Sequence, residues 1–95
     1  MAAAPKDKRE VNEENLQRIR DAGCDICGSR HAEPHHIKSR GAGGDDSLDN
    51  LLGLCRLCHI RCHQLGSHRF VRLHMDKINE NRKANGLPII TPKGL

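Results

Sequence analysis

Four cysteines and four histidines in this chain stand at spacings that let side chains do chemistry together. Cys24-x2-Cys27 and Cys55-x2-Cys58 are two knuckles of the width that wraps one tetrahedral zinc, and together they supply four thiolates. His59 and His63 follow the second knuckle at i, i+4. On a helix that spacing puts both imidazoles on one face, where they can bind one metal. Between the knuckles lie the pair His35-His36 and a lone Asn50. A four-thiolate site is closed and suits holding a fold, whereas an imidazole site that leaves coordination positions open suits holding a reacting group.

The rest of the chain has little else to hold it together. At 95 residues it makes one domain at most, with Phe70 its only aromatic residue and 36% of its residues hydrophobic. A fold of that size and composition needs a staple, either disulfides or a metal. Five cysteines is an odd number, four of them fall in the knuckles, and no apolar run near the N-terminus resembles a signal peptide. A structural zinc site in a cytoplasmic protein is therefore expected in place of disulfides. No stretch reaches the roughly 18 apolar residues of a membrane span, so no membrane partner is expected. Net charge is +4 and the pI is about 9.0, which suits a polyanion such as nucleic acid.

The elements that must position these residues are legible in turn. Residues 1–10 read as a disordered charged arm and residues 11–95 as a single domain with its core at about 24–66. A helix is expected over 12–22. Asn12 is its N-cap, Glu13 and Glu14 lie in its first turn, Val11 and Leu16 form a hydrophobic staple, and Gly23 is the stop. Its stripe of Leu16, Ile19 and Ala22 packs it on the zinc module in a structural role. The first knuckle follows at 24–31, with His31 outside the ligand set. Residues 32–38 are expected to be the first strand of a hairpin, with Pro34 marking an edge. Residues 39–50 are expected to be a loop. Its glycines lack the Gly-Lys-Ser/Thr of a phosphate loop. Asp45, Asp46 and Asp49 lack calcium-loop spacing and are read as solvated or turn-capping. Residues 51–54 suit the second strand, and a helix is expected from Leu57 to Leu65, stopped by Gly66. A further helix, capped by Ser67, is expected to run to about Ala84. Phe70, Val71, His74, Met75 and Ile78 share its face, and Gly86, Leu87 and Pro88 lie beyond its end. Cys62, four residues after Cys58, is the spare thiol and is read as packing under the helix. His68 and His74 receive no role.

Taken jointly, the first knuckle, His35-His36, Asn50 five residues before Cys55, His59 directly after Cys58 and His63 four later resemble the signature of the HNH endonucleases. The resemblance covers about forty residues and is strongest to the small stand-alone proteins of this family carried by bacteriophages. It implies a small α+β fold: a ββα-metal, treble-clef-like core stapled by Cys24, Cys27, Cys55 and Cys58 on zinc, with flanking N- and C-terminal helices.

The resemblance also implies roles. His35, from the hairpin, joins His59 and His63 on a catalytic divalent metal. His36 is the general base, since an imidazole titrating near pH 6.5 can take a proton from water. Asn50 ties the loop down and so holds the base in place. The family often has Asp where His35 stands, and the softer ligand leaves the ion open among magnesium, manganese, nickel, cobalt and zinc. The implied activity is hydrolysis of DNA phosphodiester bonds to 5′-phosphate and 3′-hydroxyl ends. Neighbours on a strand face opposite ways, yet His35 and His36 must both reach the site, so exchanged roles for the two stay open. Lys38, Arg40, Arg56, Arg61, Arg69 and Arg72 flank the expected site as candidate phosphate contacts. Two alternatives to the nuclease remain: a non-catalytic zinc module that binds nucleic acid or protein, and an accessory subunit of a phage packaging machine that acts only in complex. Oligomeric state and sequence preference are left undetermined.

Overall fold

The computed structural model describes residues 12–91. The expected arm at 1–10, and the Val11 half of the staple, lie outside them. The first helix, α1, spans Glu13–Ala22, and Asn12 caps it by accepting the Asn15 N–H at 3.0 Å. Leu16 and Ile19 are its buried residues, as the stripe predicts.

Strands β1 (Glu33–His36) and β2 (Leu51–Leu54) pair antiparallel, with His35 opposite Leu52 and His36 opposite Leu51. The first strand is shorter at both ends than the expected 32–38. Side chains alternate across a sheet, and the core divides accordingly. Leu51 packs with Leu16, Ile19 and Leu87. Leu52 and Leu54 pack with Cys58, Cys62, Phe70, Val71 and Ile78. The hairpin is thus held between α1 on one face and the later helices on the other. His35 shares the register of Leu52, and His36 that of Leu51.

The segment between the strands folds as two single 3₁₀ turns, Arg40–Ala42 and Leu48–Asn50. It doubles back so closely that a Cβ on Gly44 would collide with the Lys38 carbonyl and lie 2.9 Å from Asn50 Nδ2, so only glycine fits there.

Helix α2 spans Arg56–Leu65 and stops at Gly66, as expected. The single helix expected after it is two: α3 (Ser67–Leu73) and α4 (Met75–Ala84), with His74 between them at φ −111°, ψ 19°. Ser67 is not the cap. Gly66 occupies that position at φ 94°, a backbone region that other residues avoid, and the Ser67 side chain makes no capping bond. Its hydroxyl goes elsewhere, as described below. The turn at His74 sends α4 across the hairpin. There Arg82, fully buried, donates to the carbonyls of Leu48, Leu51 and Pro88. Beyond α4, Gly86 has φ 72° and the Leu87 N–H donates to Arg82 O at 2.8 Å, with Leu87 buried beside α1 as the glycine stop predicts. Among the described residues no helix is long and apolar enough to cross a membrane.

Candidate metal centre and active site

Cys24 and Cys27 come from the turn after α1, and Cys55 and Cys58 from the start of α2. Their four sulfurs lie within 4.8 Å of one another. An ion held tetrahedrally by sulfur at about 2.3 Å spaces its ligands about 3.8 Å apart. Cys27 Sγ and Cys55 Sγ are 3.6 Å apart, so the cluster fits such an ion. The N–H groups of Ile26 and Cys27 donate to Cys24 Sγ at 3.4 and 3.5 Å. The Cys58 backbone N–H brings the Cys55 thiol down to about 7, while burial pushes Cys58 up.

A second cluster forms further along α2. His35 meets His59 and His63, with one ring nitrogen of each within 4.8 Å of the others. His35 Nδ1 lies 3.1 Å from His59 Nε2, close to the roughly 3.3 Å that two imidazoles on one ion would show. The His59 and His63 rings stack, centroids 4.7 Å apart, as i, i+4 spacing predicts. His35 is only 8% exposed. Burial, then the neighbouring charges of His59, His63 and His36, lower its pKa to about 4, so the ring is neutral at pH 7, the form a ligand needs. Burial and His63 lower His59 as well, against Glu33.

Ser67 contacts the His35 nitrogen that faces away from His59. Its Oγ is 2.7 Å from His35 Nε2. A proton on Nε2 donated to that oxygen leaves the Nδ1 lone pair turned toward His59 and His63. Such outer partners orient ligating histidines generally. Cys62 is fully buried, as its packing role predicts, with Sγ 3.4 Å from the same His35 Nε2. Burial raises its pKa, and Ser67 opposes that.

His36 does not join this cluster. Its Nε2 is 2.7 Å from Oδ1 of Asp46, a carboxylate 2% exposed. A carboxylate only accepts, so this contact needs the proton on Nε2, and Arg40 Nε lies 3.4 Å from the same nitrogen. The reading of Asp46 as solvated or turn-capping is therefore corrected. Its other oxygen accepts the Asn12 N–H at 3.0 Å, tying the start of α1 to His36. Burial pushes the Asp46 carboxyl up, but the hydrogen bonds from His36 and Asn12 and the Arg40 charge outweigh it and hold it below its ordinary value. Asp45 does cap a turn, accepting from the amide and hydroxyl of Ser47.

Asn50 bonds across the whole intervening loop. Its Oδ1 accepts the Lys38 N–H at 2.7 Å, and its Nδ2 donates to the carbonyls of Lys38 and Asp45. The loop is thereby pinned at two points, two residues after His36 and immediately before Asp46.

The six flanking cations separate. Arg40 is engaged beside Asp46 at 3.4 Å, and Lys38 lies at the Asn50 loop. Arg61, Arg69 and Arg72 are exposed. Arg56 lines a groove of about 550 Å³ that also takes in His59 and His63, together with Arg20, Arg30 and Glu33. Sequence patterning missed Asp46, Ser67 and the two further arginines.

Residues 24–65, from the first knuckle to the end of α2, match the family model described as HNH endonuclease. No curated protein and no solved structure matches the chain. Over residues 24–65 the chain is thus similar to the HNH endonuclease domain.

Proposed function

We propose that the protein is a metal-dependent DNA endonuclease of the small stand-alone type carried by bacteriophages, with a zinc-stapled ββα-metal core. What carries this reading is the division of labour across β1. His35 gathers with His59 and His63, while its neighbour His36 stays out of that cluster and is held by a buried carboxylate. Cys24, Cys27, Cys55 and Cys58 hold a structural zinc, and His35, His59 and His63 hold the second divalent ion. When bound there, such an ion supplies Lewis-acid stabilisation for charge on the phosphate and on the leaving 3′-oxygen.

The remaining steps belong to the chain. His36 takes the proton of the attacking water on Nδ1, because Asp46 occupies Nε2. As His36 becomes cationic, the Asp46 carboxylate stabilises it at 2.7 Å. Asn50 holds the loop, and with it Asp46, at a fixed distance from the strand. Ser67 keeps His35 in the tautomer that presents Nδ1. His35 and His36 lie on opposite faces of β1, whose outer edge pairs with no strand among the described residues. A phosphodiester that meets both must straddle that edge. One chain holds one such centre, so single-strand nicks are the expected product unless two copies pair.

Plasmid relaxation with magnesium, manganese, nickel, cobalt or zinc, with and without chelator, tests the proposal. Conversion of supercoiled to open-circular DNA in at least one metal supports it. Binding without cutting in every metal would leave a zinc module that only binds.

A further inference from the structure

The groove beside the histidine cluster draws its walls from three separate parts of the chain. Arg20 comes from the last turn of α1, Arg30 from the end of the first knuckle, and Arg56 from the first position of α2. None of the three makes an ion pair among the described residues. Arg20 touches only the neutral Gln17, at 3.3 Å. Glu33 is the single carboxylate in the wall. Three cations therefore line one cavity against one anion, and His59 and His63 line the same cavity. Arg20 lies outside residues 24–65, so its part of the wall is not in the family match, while Arg30 and Arg56 fall within it.

Placement around α2 explains the grouping. At about 100° per residue, Arg56, His59 and His63 fall within about 60° of one another, whereas Arg61 lies about 140° from Arg56. The helix thus turns one arginine and two ring nitrogens to the groove. Like charges left together without partners are costly unless an anion visits them.

We infer that this groove is the track for the DNA strand being cut, with Arg20, Arg30 and Arg56 on consecutive phosphates to one side of the scissile one. α1 is then more than a support: it supplies the outermost contact. Which phosphate is scissile rests on the nuclease proposal, and the test keeps the two apart. Arginines here position the backbone and read no sequence.

The experiment uses the full-length, zinc-loaded protein and a short fluorescent DNA duplex. Binding is followed by anisotropy across a salt titration in the His36→Ala background, and cleavage is followed in the otherwise native background. Each phosphate contact contributes about 0.9 to the slope of log K against log salt. Arg20→Gln, Arg30→Gln and Arg56→Gln are each expected to lower the slope by about 0.9, and the triple variant by about 2.7, with zinc content and helix signal unchanged. Lysine at the three positions should restore most of the slope, and Lys83→Gln, on α4 away from the groove, should not move it. In cleavage, the triple variant should raise KM far more than it lowers kcat. An unchanged slope in the triple variant overturns the inference, as does an equal drop from Lys83→Gln, or a drop with an RNA duplex but not with DNA. Wild-type cleavage with an unchanged slope would sink the track and leave the nuclease proposal standing. A lowered slope in a protein that cuts nothing would do the reverse.

Discussion

Asp25 and Arg82, 57 residues apart in sequence, meet inside the protein with Oδ2 and Nη1 3.4 Å apart, and neither is more than 1% exposed. Asp25 sits in the first knuckle and also accepts the Gly53 N–H at 3.1 Å. Through Leu48 and Leu51, Arg82 grips the turn that carries Asn50. One guanidinium therefore ties the C-terminal helix to the zinc knuckle, the second strand and the loop clasp together. Arg82→Met should leave the Asp25 carboxyl with the Gly53 N–H but no guanidinium, and should take the guanidinium donor from three carbonyls, those of Leu48, Leu51 and Pro88. The expected loss is about 3–5 kcal/mol, a large share of the roughly 5–15 kcal/mol of a small domain. Urea denaturation of the zinc-loaded protein measures it, and a loss below 1 kcal/mol would show that the pair is dispensable.

The two clusters should respond differently to loss of a ligand. Cys27→Ser should release zinc and abolish the cooperative melt, because metal binding here is largely folding energy. His59→Ala or His63→Ala should keep the four-thiol zinc and the melt but lose the second ion and the cleavage. Elemental analysis beside calorimetry distinguishes the cases. A Cys27→Ser protein that melts like wild type, or a fully active His63→Ala, would refute the corresponding assignment.

The His36–Asp46 pair predicts a coupled loss. His36→Ala should slow cleavage by about 10²–10⁴-fold, the usual worth of a positioned acid–base group, while metal content and DNA affinity are retained. Asp46→Asn should lower kcat by about 10–100-fold, as removing an orienting partner does, with KM little changed. Adding Asp46→Asn to His36→Ala should cost nothing further in rate, because the carboxylate acts only through that ring. Additive losses would place Asp46 in a different role. If His36→Ala loses the second ion while His35→Ala keeps it, the two histidines have exchanged roles.

His35 predicts a pH dependence of stability. Its folded pKa of about 4 lies below the ordinary 6.5, so the unfolded chain takes up a proton between these values that the folded chain refuses. Stability should therefore fall as pH drops from about 6.5 to about 4, on account of this ring, and level off below. Denaturation midpoints of wild type and His35→Gln, compared pH by pH, isolate the effect. The wild type should show the steeper decline, and parallel curves would contradict the prediction.

Local chemistry made much of this architecture legible. Asn12 caps α1 and Gly66 ends α2, because caps and stops depend on residues a turn away. Both knuckles and the i, i+4 pair fall where spacing puts them. What was not legible depends on partners far along the chain. Asp46 is indistinguishable from Asp45 and Asp49 until the strand brings His36 to it. Ser67 satisfies every local rule for a cap, yet its hydroxyl is taken by His35, and glycine at 66 makes the start of α3 without it. Nothing in residues 67–84 marks His74 as a break, for there is no glycine or proline among them. Arg82 reads as one more charge on a polar helix, and only the packed fold shows it buried. The doubled-back loop has one local sign, Gly44, whose need for close approach becomes plain once the Lys38 carbonyl is beside it.

Helix α2 supplies ligand atoms to both clusters, from the adjacent residues Cys58 and His59, with Cys55 at its cap and His63 a turn further on. This fixes a timetable for a chain emerging from the ribosome. The first knuckle and the hairpin histidines appear early and wait, since neither set is complete without α2. When that helix emerges, the thiols and the imidazoles can close within the same short stretch of synthesis, and Ser67 follows to lock His35. Truncated products that stop before α2 therefore carry neither cluster in finished form, and the histidine cluster closes only together with the thiol cluster built on the same helix.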